Sequence, residues 1–418
     1  MLFNILLNIV IILGNISLIR YILYLFVAPI HAIQSKKIIS QGTNLQREDI
    51  EKNFLVSVIV PAWNEEVGII NSIKSLLKNN YNNLEIIVVD DGSTDNTAKI
   101  VREFKRKELS HFIGKGKTFK FISKKNGGKG SALNAGIKAS IGDIIVTMDA
   151  DTEFETNAIY NAVKYFGNDE IDAVVGNVKV SANKNIMALI QQMEYTVGFY
   201  FKRVYSVFNS EYIIGGAFGV FRRKIFEEIG FFDELCKTED IEFSTRIKCN
   251  GFKIIYAEDA IAYTEGASSF KGLCKQRLRW KKGRLDTFMR YSQMLFSMDS
   301  NHSKFLTLFI MPYAFITDFL LLIEPIFIVF VLYSVLLNGM VEYLMAWISF
   351  VTFILGISYL FGSKKSNNRN IVLIPLFYFF QFILISSEIY AIIGSLILYY
   401  KNQDVVWQSW NRKGVGNV

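Results

Sequence analysis

The stretch Gly142-Asp-Ile-Ile-Val-Thr-Met-Asp-Ala-Asp-Thr-Glu153 decides how the rest of the chain is read. Its apolar run, residues 144–148, is rich in β-branched residues, bounded by polar ones and too short for an ordinary helix. It reads as a buried strand. Asp149 and Asp151 stand at its end with small Ala150 between them. Two carboxylates spaced i, i+2 at a strand terminus can turn toward one point in the following loop. Oxygen donors of that kind suit Mg2+ or Mn2+, which commonly bind through one or two carboxylates plus substrate phosphates. An Asp-x-Asp triplet also arises by chance about once in a chain this long, so its neighbours have to decide.

Upstream, strand and helix patterns alternate. Strands are expected over 55–60, 85–89 and 120–123, with helices over 65–78, 94–107 and 131–140. Downstream of the central strand come a helix over 156–166 and a strand over 173–180. This alternation predicts an α/β domain with a mostly parallel sheet and helices on both faces. Such sheets bind ligands outside the carboxyl ends of their strands, so the loops there should converge. The first loop reads Pro61-Ala-Trp-Asn-Glu-Glu66 and offers Pro61, Ala62, Asn64 and Glu65. The second reads Asp90-Asp-Gly-Ser-Thr-Asp-Asn-Thr97. There Asp-Gly makes a turn, and Ser93 or Asp95 caps the next helix. Two adjacent acids, Asp90 and Asp91, exceed what a turn needs, and a carboxylate there can accept from a base N–H. Before the central strand, Lys125-Asn-Gly-Gly-Lys-Gly-Ser-Ala-Leu-Asn134 allows close backbone approach, and Lys129 can face a diphosphate. It matches neither the Walker A pattern nor GxGxxG.

Further on, Gly215, Gly216 and Gly219, with Phe218 among them, form either a narrow segment that admits a flat ligand or a glycine-rich strand or bulge. Thr238-Glu239-Asp240 opens an amphipathic helix over 241–249, where first-turn acids also arise for dipole reasons alone. Gln276, Arg279 and Trp280 are spaced i, i+3, i+4 and share one helix face. An amide, a guanidinium and an indole suit phosphate binding and sugar stacking. A basic helix with a tryptophan also reads as a membrane-surface helix, and the two readings are compatible.

The chain has 418 residues, a net charge of +8, 51% apolar residues and a mean hydropathy of +0.26. The apolar excess over an ordinary soluble protein is local to residues 2–30 and 305–400. Lys and Arg cluster beside these spans, as the positive-inside rule expects, so the basic charge does not call for nucleic acid. Three scattered cysteines and three distant histidines support neither a zinc site nor a disulfide framework. Residues 2–19 are uncharged and long enough to span a bilayer. A signal peptide would need a basic leader and a small-residue cleavage site. Lys36 and Lys37 follow the span and put the next domain in the cytoplasm. Further spans are expected over 319–337 and 343–361, with an interfacial segment and a span sharing 371–400. Lys364, Lys365 and Arg369 form a basic loop. Asp318, Glu324 and Glu388 are acids near or within spans, which usually face a polar interior. The expected division is an N-terminal helix (1–33), a polar linker (34–53), a catalytic domain (54–270), an interfacial segment (271–317), transmembrane helices (318–400) and an amphipathic tail (401–418) with Trp407 and Trp410.

Taken in order, PAWNEE, VVDDGSTDNT, NGGKGSALN, DAD, the segment from Gly215 to Arg223, TED and QRLRW resemble the motifs of the processive family 2 glycosyltransferases. These are membrane-embedded β-glycan synthases such as cellulose, chitin, hyaluronan and poly-β-1,6-N-acetylglucosamine synthases. DAVVGNVKV, TEDIEFSTRI and the following GFKI are most similar to the last of these. The resemblance runs from about Val56 to Trp280. It implies a GT-A domain, Rossmann-like and mostly parallel, packed on interface helices and a transmembrane pore. Few spans and no regulatory C-terminal domain are the expected departures. Asp149 and Asp151 then match the metal-binding acids for Mg2+ or Mn2+, and Asp91, with Asp90 beside it, matches a uracil-contacting acid. Residues 61–65 and Lys129 match donor-nucleotide contacts, and Asp240, with Glu239, matches the general base. Gln276, Arg279 and Trp280 match the element closing over donor diphosphate and acceptor sugar, with Gly215, Gly216 and Phe218 on the acceptor side. The implied partners are a UDP-sugar, a growing polysaccharide, the lipid membrane and a small membrane accessory subunit. The alternatives are a hyaluronan-, chitin- or cellulose-type synthase using another UDP-sugar, and a polyprenyl-phosphate glycosyltransferase making single transfers, against which the QRLRW element speaks.

Overall fold

The computed structural model describes residues 2–41, 46–114, 116–181, 185–339, 341–361, 376–405 and 415. Three helices come first: α1 (Leu2–Val27), α2 (Ile30–Gln41) and α3 (Arg47–Asn53). The stretch expected as a polar linker is thus largely helical. Its short apolar contacts explain this, since His31, Ile38 and Ile50 are all buried against the domain that follows.

Next come β1 (Val56–Ala62), α4 (Ile69–Leu77), β2 (Leu84–Asp90), α5 (Thr97–Lys107), α6 (Leu109–Phe112), β3 (Lys117–Ser123), α7 (Lys129–Ala139) and β4 (Ile144–Thr147). Every residue of β1, β2 and β4 is buried. Near-continuous Val and Ile runs are what strands covered on both faces require. β1 lies parallel between β2 and β4, and β3 extends the sheet beyond β2. One face packs Ile73 and Leu76 of α4 against β1 and β2; the other packs Leu133 and Ile137 of α7 against Ile59 and Val89. Gly136 of α7 crosses β1 so closely that a Cβ there would lie 3.2 Å from Val89 and closer still to Ile59.

The second half contains β5 (Thr152–Phe154), α8 (Ala158–Val163), β6 (Ala173–Val180), α9 (Ile186–Val207), β7 (Gly219–Arg222), α10 (Arg223–Ile229), α11 (Glu239–Cys249) and β8 (Ile254–Thr264). The eight strands form one sheet in the order β3-β2-β1-β4-β7-β6-β8-β5. The mostly parallel expectation holds, with two exceptions. β7 runs antiparallel between β4 and β6, and β5 antiparallel to β8. Phe221 of β7 sits in an aromatic cluster with Phe226, Phe232 and Phe243, the last two rings 4.5 Å apart. That cluster pins α10 and α11 to the sheet.

Beyond β8 lie α12 (Phe270–Arg290), a π-helical turn (Leu306–Ile310), α13 (Met311–Asn338), α14 (Val341–Leu360) and α15 (Phe377–Tyr400). Residues 305–317, part of the expected interfacial segment, run continuously into α13. Among the described residues, Phe379–Tyr400 is long and apolar enough to cross a bilayer, and Leu18–Val27 with Ile30–Gln41 would make a second span bent by 40°. The basic loop with Lys364, Lys365 and Arg369, residues 371–375, Trp407, Trp410 and the side chain of Glu324 lie outside the described residues.

Candidate active site

The carboxyl ends of β1, β2 and β4 open on one cavity of about 730 Å3, within the size range of small-molecule sites. Its first wall is two loops zipped together. Asn64 takes a left-handed conformation (φ 55°), which asparagine tolerates. Its backbone N–H donates to Ser93 Oγ (3.0 Å), and its Oδ1 accepts from Thr94 N (2.8 Å). Glu65 N donates to Thr97 Oγ1 (2.8 Å) and Glu66 N to Asp95 Oδ2 (3.2 Å). Ser93 and Asp95 therefore lace one loop to the other; the side chain of Asn96 makes no cap bond, but Asp95 Oδ1 accepts from Thr97 N (2.9 Å) at the start of α5. Pro61, Ala62 and Glu65 line the cavity, while Asn64 does not.

The two acids ending β2 divide their tasks. Asp90 is buried behind the cavity, accepting from Ser93 N (3.2 Å) and Ser123 Oγ (2.9 Å). Asp91 faces the cavity. It accepts from Lys124 Nζ (2.7 Å), Gly127 N (3.0 Å) and Gly128 N (2.7 Å). An anion thus already fills the concavity made by these glycine amides. Gly128 has φ 90°, so only glycine suits that turn. Through it, Asp91 fixes the start of α7, whose first residue is Lys129.

Lys129 reaches across the cavity into a group of acids from two elements, the loop after β4 and the start of α11. Its Nζ lies 2.6 Å from Asp149 Oδ1 and 3.1 Å from Glu239 Oε1. Burial works against this ammonium, but the charges of Asp149, Glu239 and Asp240 outweigh it and raise its pKa above the ordinary lysine value. Burial pushes the Glu239 carboxyl up, and Lys129 only partly offsets this. Asp240 Oδ2 accepts from Gly216 N (3.0 Å), so the glycine segment after α9 and the start of α11 are tied together. Asp151 Oδ1 accepts from Thr264 Oγ1 (3.3 Å) at the end of β8. Gly215 and Gly216 line the cavity; Phe218 is wholly buried, its ring 4.0 Å from Phe154, and forms only the floor.

The third wall is α12, capped by Ser269 Oγ, which accepts from Gly272 N (3.2 Å). Gln276, Arg279 and Trp280 line the cavity as their spacing predicted. Gln276 is 7% exposed and its Oε1 has no hydrogen-bond partner among the described residues. The Arg277 guanidinium lies over the Trp280 ring, 4.7 Å from its centroid. Behind these, charges alternate from helix to helix. Arg277 pairs with Glu194 of α9 and with Glu388 of α15 (3.4 Å). Lys281 joins Glu388 to Asp318 of α13, both at 2.7 Å, and Arg284 pairs with Asp318. The acids Asp318 and Glu388 thus face a polar interior beside the cavity.

Comparison with known proteins now bears on this geometry. Residues 57–230 match the family described as glycosyl transferase family 2, and residues 144–385, more than half the chain, match glycosyl transferase family group 2. The chain belongs to glycosyl transferase family 2. Poly-beta-1,6-N-acetyl-D-glucosamine synthases of Staphylococcus epidermidis and Staphylococcus aureus (strain COL) are each 31% identical over 239 residues, 56% of this chain and 56% of the relative. The chain therefore spans about half the length of these curated relatives. A mannosyltransferase from Pyrobaculum calidifontis, solved in complex with GDP-Man and Mn2+, aligns with a TM-score of 0.55 at 16% identity, covering 91% of this chain and 96% of that one. It shares the fold. The GT-A-like α/β architecture and the glycosyltransferase class expected from the sequence both stand.

Of the residues assigned to donor, acceptor, metal or base roles from the sequence, Asn64 and Asp90 do not line the cavity, while the others do. Sequence reasoning passed over Glu265, Tyr195, Arg277 and Lys202, which line it as well. Thr264-Glu265-Gly266 carried a usable signal, an acid and a glycine at a strand end, the same kind of cue as Asp149. Asp149 and Asp151 fit a hard divalent cation, since both present only oxygen donors at the cavity. Among the described residues no group of three or more His, Cys, Asp and Glu side chains could hold a metal by itself. A cation there would need ligands from a bound phosphate, as Mg2+ sites commonly do.

Proposed function

We propose that this glycosyltransferase transfers N-acetylglucosamine from UDP-N-acetylglucosamine, with inversion, to the end of a growing β-linked polysaccharide at the cytoplasmic face of a membrane. The observation that carries the reading is the meeting of Asp149, Lys129, Glu239 and Asp240 around one cavity walled by α12. Support for the sugar comes from the named activity of the staphylococcal relatives.

Asp91 and the loop from Pro61 to Glu65 hold the nucleoside end. Mg2+ or Mn2+ held by Asp149 and Asp151 would offset the charge of the departing diphosphate. Lys129 and Arg279 add positive charge at the same end. Trp280 stacks the acceptor sugar and Gln276 accepts from one of its hydroxyls. Asp240, oriented by Gly216 N–H, takes the proton of the attacking hydroxyl. The acceptor oxygen bonds to the anomeric carbon as the carbon–oxygen bond to phosphate breaks on the opposite face. The bonding pair leaves with UDP. An α-linked donor thereby gives a β-linkage with no covalent enzyme intermediate.

The charge-balanced helices around Glu388 and Asp318 lead the product away from the cavity toward the apolar helices, which couples synthesis to export. The test is purified full chain with a panel of UDP-sugars, followed by digestion of the product with linkage-specific glycosidases. Incorporation of N-acetylglucosamine into a β-linked polymer supports the reading. A single sugar added to a polyprenyl phosphate, or another sugar preferred, overturns it.

A further inference from the structure

We propose that Lys129 is an exchangeable counter-ion: its ammonium occupies the cation's place beside Asp149 until nucleotide phosphates draw it away, so that metal and nucleotide enter together. This rests on the reading that Asp149 helps hold a divalent cation. Three observations support it. The Lys129 ammonium sits 2.6 Å from Asp149 Oδ1 and 3.1 Å from Glu239 Oε1, bridging acids from two separate elements. Its path is kept open by Gly216, where a Cβ would collide with Lys129 Nζ and lie 3.4 Å from Asp149 Oδ1. And the amides of Gly127 and Gly128, which could otherwise greet a phosphate, are already bound to Asp91. The long, flexible lysine arm is then the part of this loop free to exchange one anion for another.

A divalent cation at Asp149 Oδ1 would meet the Lys129 ammonium at close range, where like charges repel strongly in a cavity that holds little water. Without nucleotide, a metal ion has to displace a formed ion pair inside a partly water-excluded cavity. With nucleotide present, the diphosphate offers Lys129 new oxygens and offers the metal new ligands at once. The device therefore produces positive coupling between metal and nucleotide, and such coupling is reciprocal.

The experiment titrates Mn2+ into the purified full chain and reads free Mn2+ by electron paramagnetic resonance, with and without UDP. Wild type is compared with Lys129→Met, Lys129→Arg and Asp149→Asn, each checked for folding by its melting transition. Lys129→Met is expected to bind Mn2+ at least about tenfold tighter than wild type without UDP, and to lose most of the strengthening that UDP gives. Lys129→Arg, which keeps the charge, should stay close to wild type. Should Lys129→Met misfold, Lys129→Gln replaces it with the same expectation. Unchanged or weaker Mn2+ affinity in the neutral variants overturns the exchange. Mn2+ binding that ignores Asp149→Asn, even with UDP, overturns instead the assignment of the metal site.

Discussion

Gly283 on α12 marks the point where the interface helix touches the acids of α11. A Cβ added there would lie 2.6 Å from Thr238 Cβ, and nearer still to its Oγ1 and Cγ2. Ordinary contacts of this kind begin at 3.4 Å, so either α12 or the Thr238 backbone must shift by about 1 Å. Thr238 is buried, and Glu239 and Asp240 follow it directly. Overpacking of a filled site costs about 1–3 kcal/mol of stability. Displacing a group at the reacting centre by about 1 Å costs on the order of 10²-fold in rate. Gly283→Ala should therefore slow sugar transfer by about 10²-fold while UDP binding changes less, since of the proposed donor contacts Arg279 shares α12 whereas Asp91, Lys129 and Asp149 sit on other elements. Thr238→Ala in the same background removes Oγ1 and Cγ2 and should restore part of the lost rate. The assay is UDP release under single-turnover conditions, with calorimetric UDP binding alongside. A Gly283→Ala enzyme with wild-type turnover would refute the idea that α12 seats the acids of α11.

Other outcomes follow from the same geometry. Asp318→Asn strips a partner from both Lys281 and Arg284 and should lower stability in detergent by about 3–5 kcal/mol. Glu388→Gln should cost less, because Arg277 keeps Glu194 and Lys281 keeps Asp318; melting transitions check the order. Lys248 donates to Asn209 Oδ1 (2.8 Å) and Phe252 O (3.0 Å), and burial pushes its pKa down to about 8 from 10.5. Between those pH values the unfolded lysine is protonated and the folded one is not, so stability rises with pH by about 3 kcal/mol across the window. Denaturation of Lys248→Met should lack that rise, and an unchanged slope would contradict it. Asp91→Asn weakens the hold on Gly127 and Gly128 and should lower UDP affinity by about tenfold or more in calorimetry. Chelation by EDTA should abolish transfer, and added Mn2+ or Mg2+ should restore it.

The first half of the sheet was readable because β1, β2 and β4 are short, mostly Val and Ile runs, broken only by Ser57 and Glu85 and each followed by polar loop residues. The second half was readable only in part: α8 and β6 fall where a helix and a strand were expected. β7 is only four residues long and opens at Gly219, so no periodicity announces that it slots antiparallel between β4 and β6. Pairing of β5 with β8 joins residues more than a hundred positions apart, beyond the reach of local pattern. The motifs that gather at the cavity were legible as loop chemistry at strand ends. Which acid of a pair faces the cavity was not, since Asp90 and Asp91 differ only in the direction of the side chain. Residues 34–53 look polar, yet a few buried side chains, His31 just before them with Ile38 and Ile50, suffice to make residues 34–41 and 47–53 helical and docked. The ion chain of Arg277, Lys281, Arg284, Asp318 and Glu388 was half visible. Its acids stood out in apolar surroundings, but their partners lie on a helix far away in sequence.

The account turns on Asp240 as the group that takes the acceptor's proton. The most direct measurement is transfer by Asp240→Asn beside its UDP affinity, in the full chain with Mn2+ and UDP-N-acetylglucosamine. UDP should bind nearly as in wild type while transfer falls by about 10²–10⁴-fold, the usual contribution of a positioned base. Transfer at the wild-type rate, or loss of UDP binding in step with it, would contradict the account.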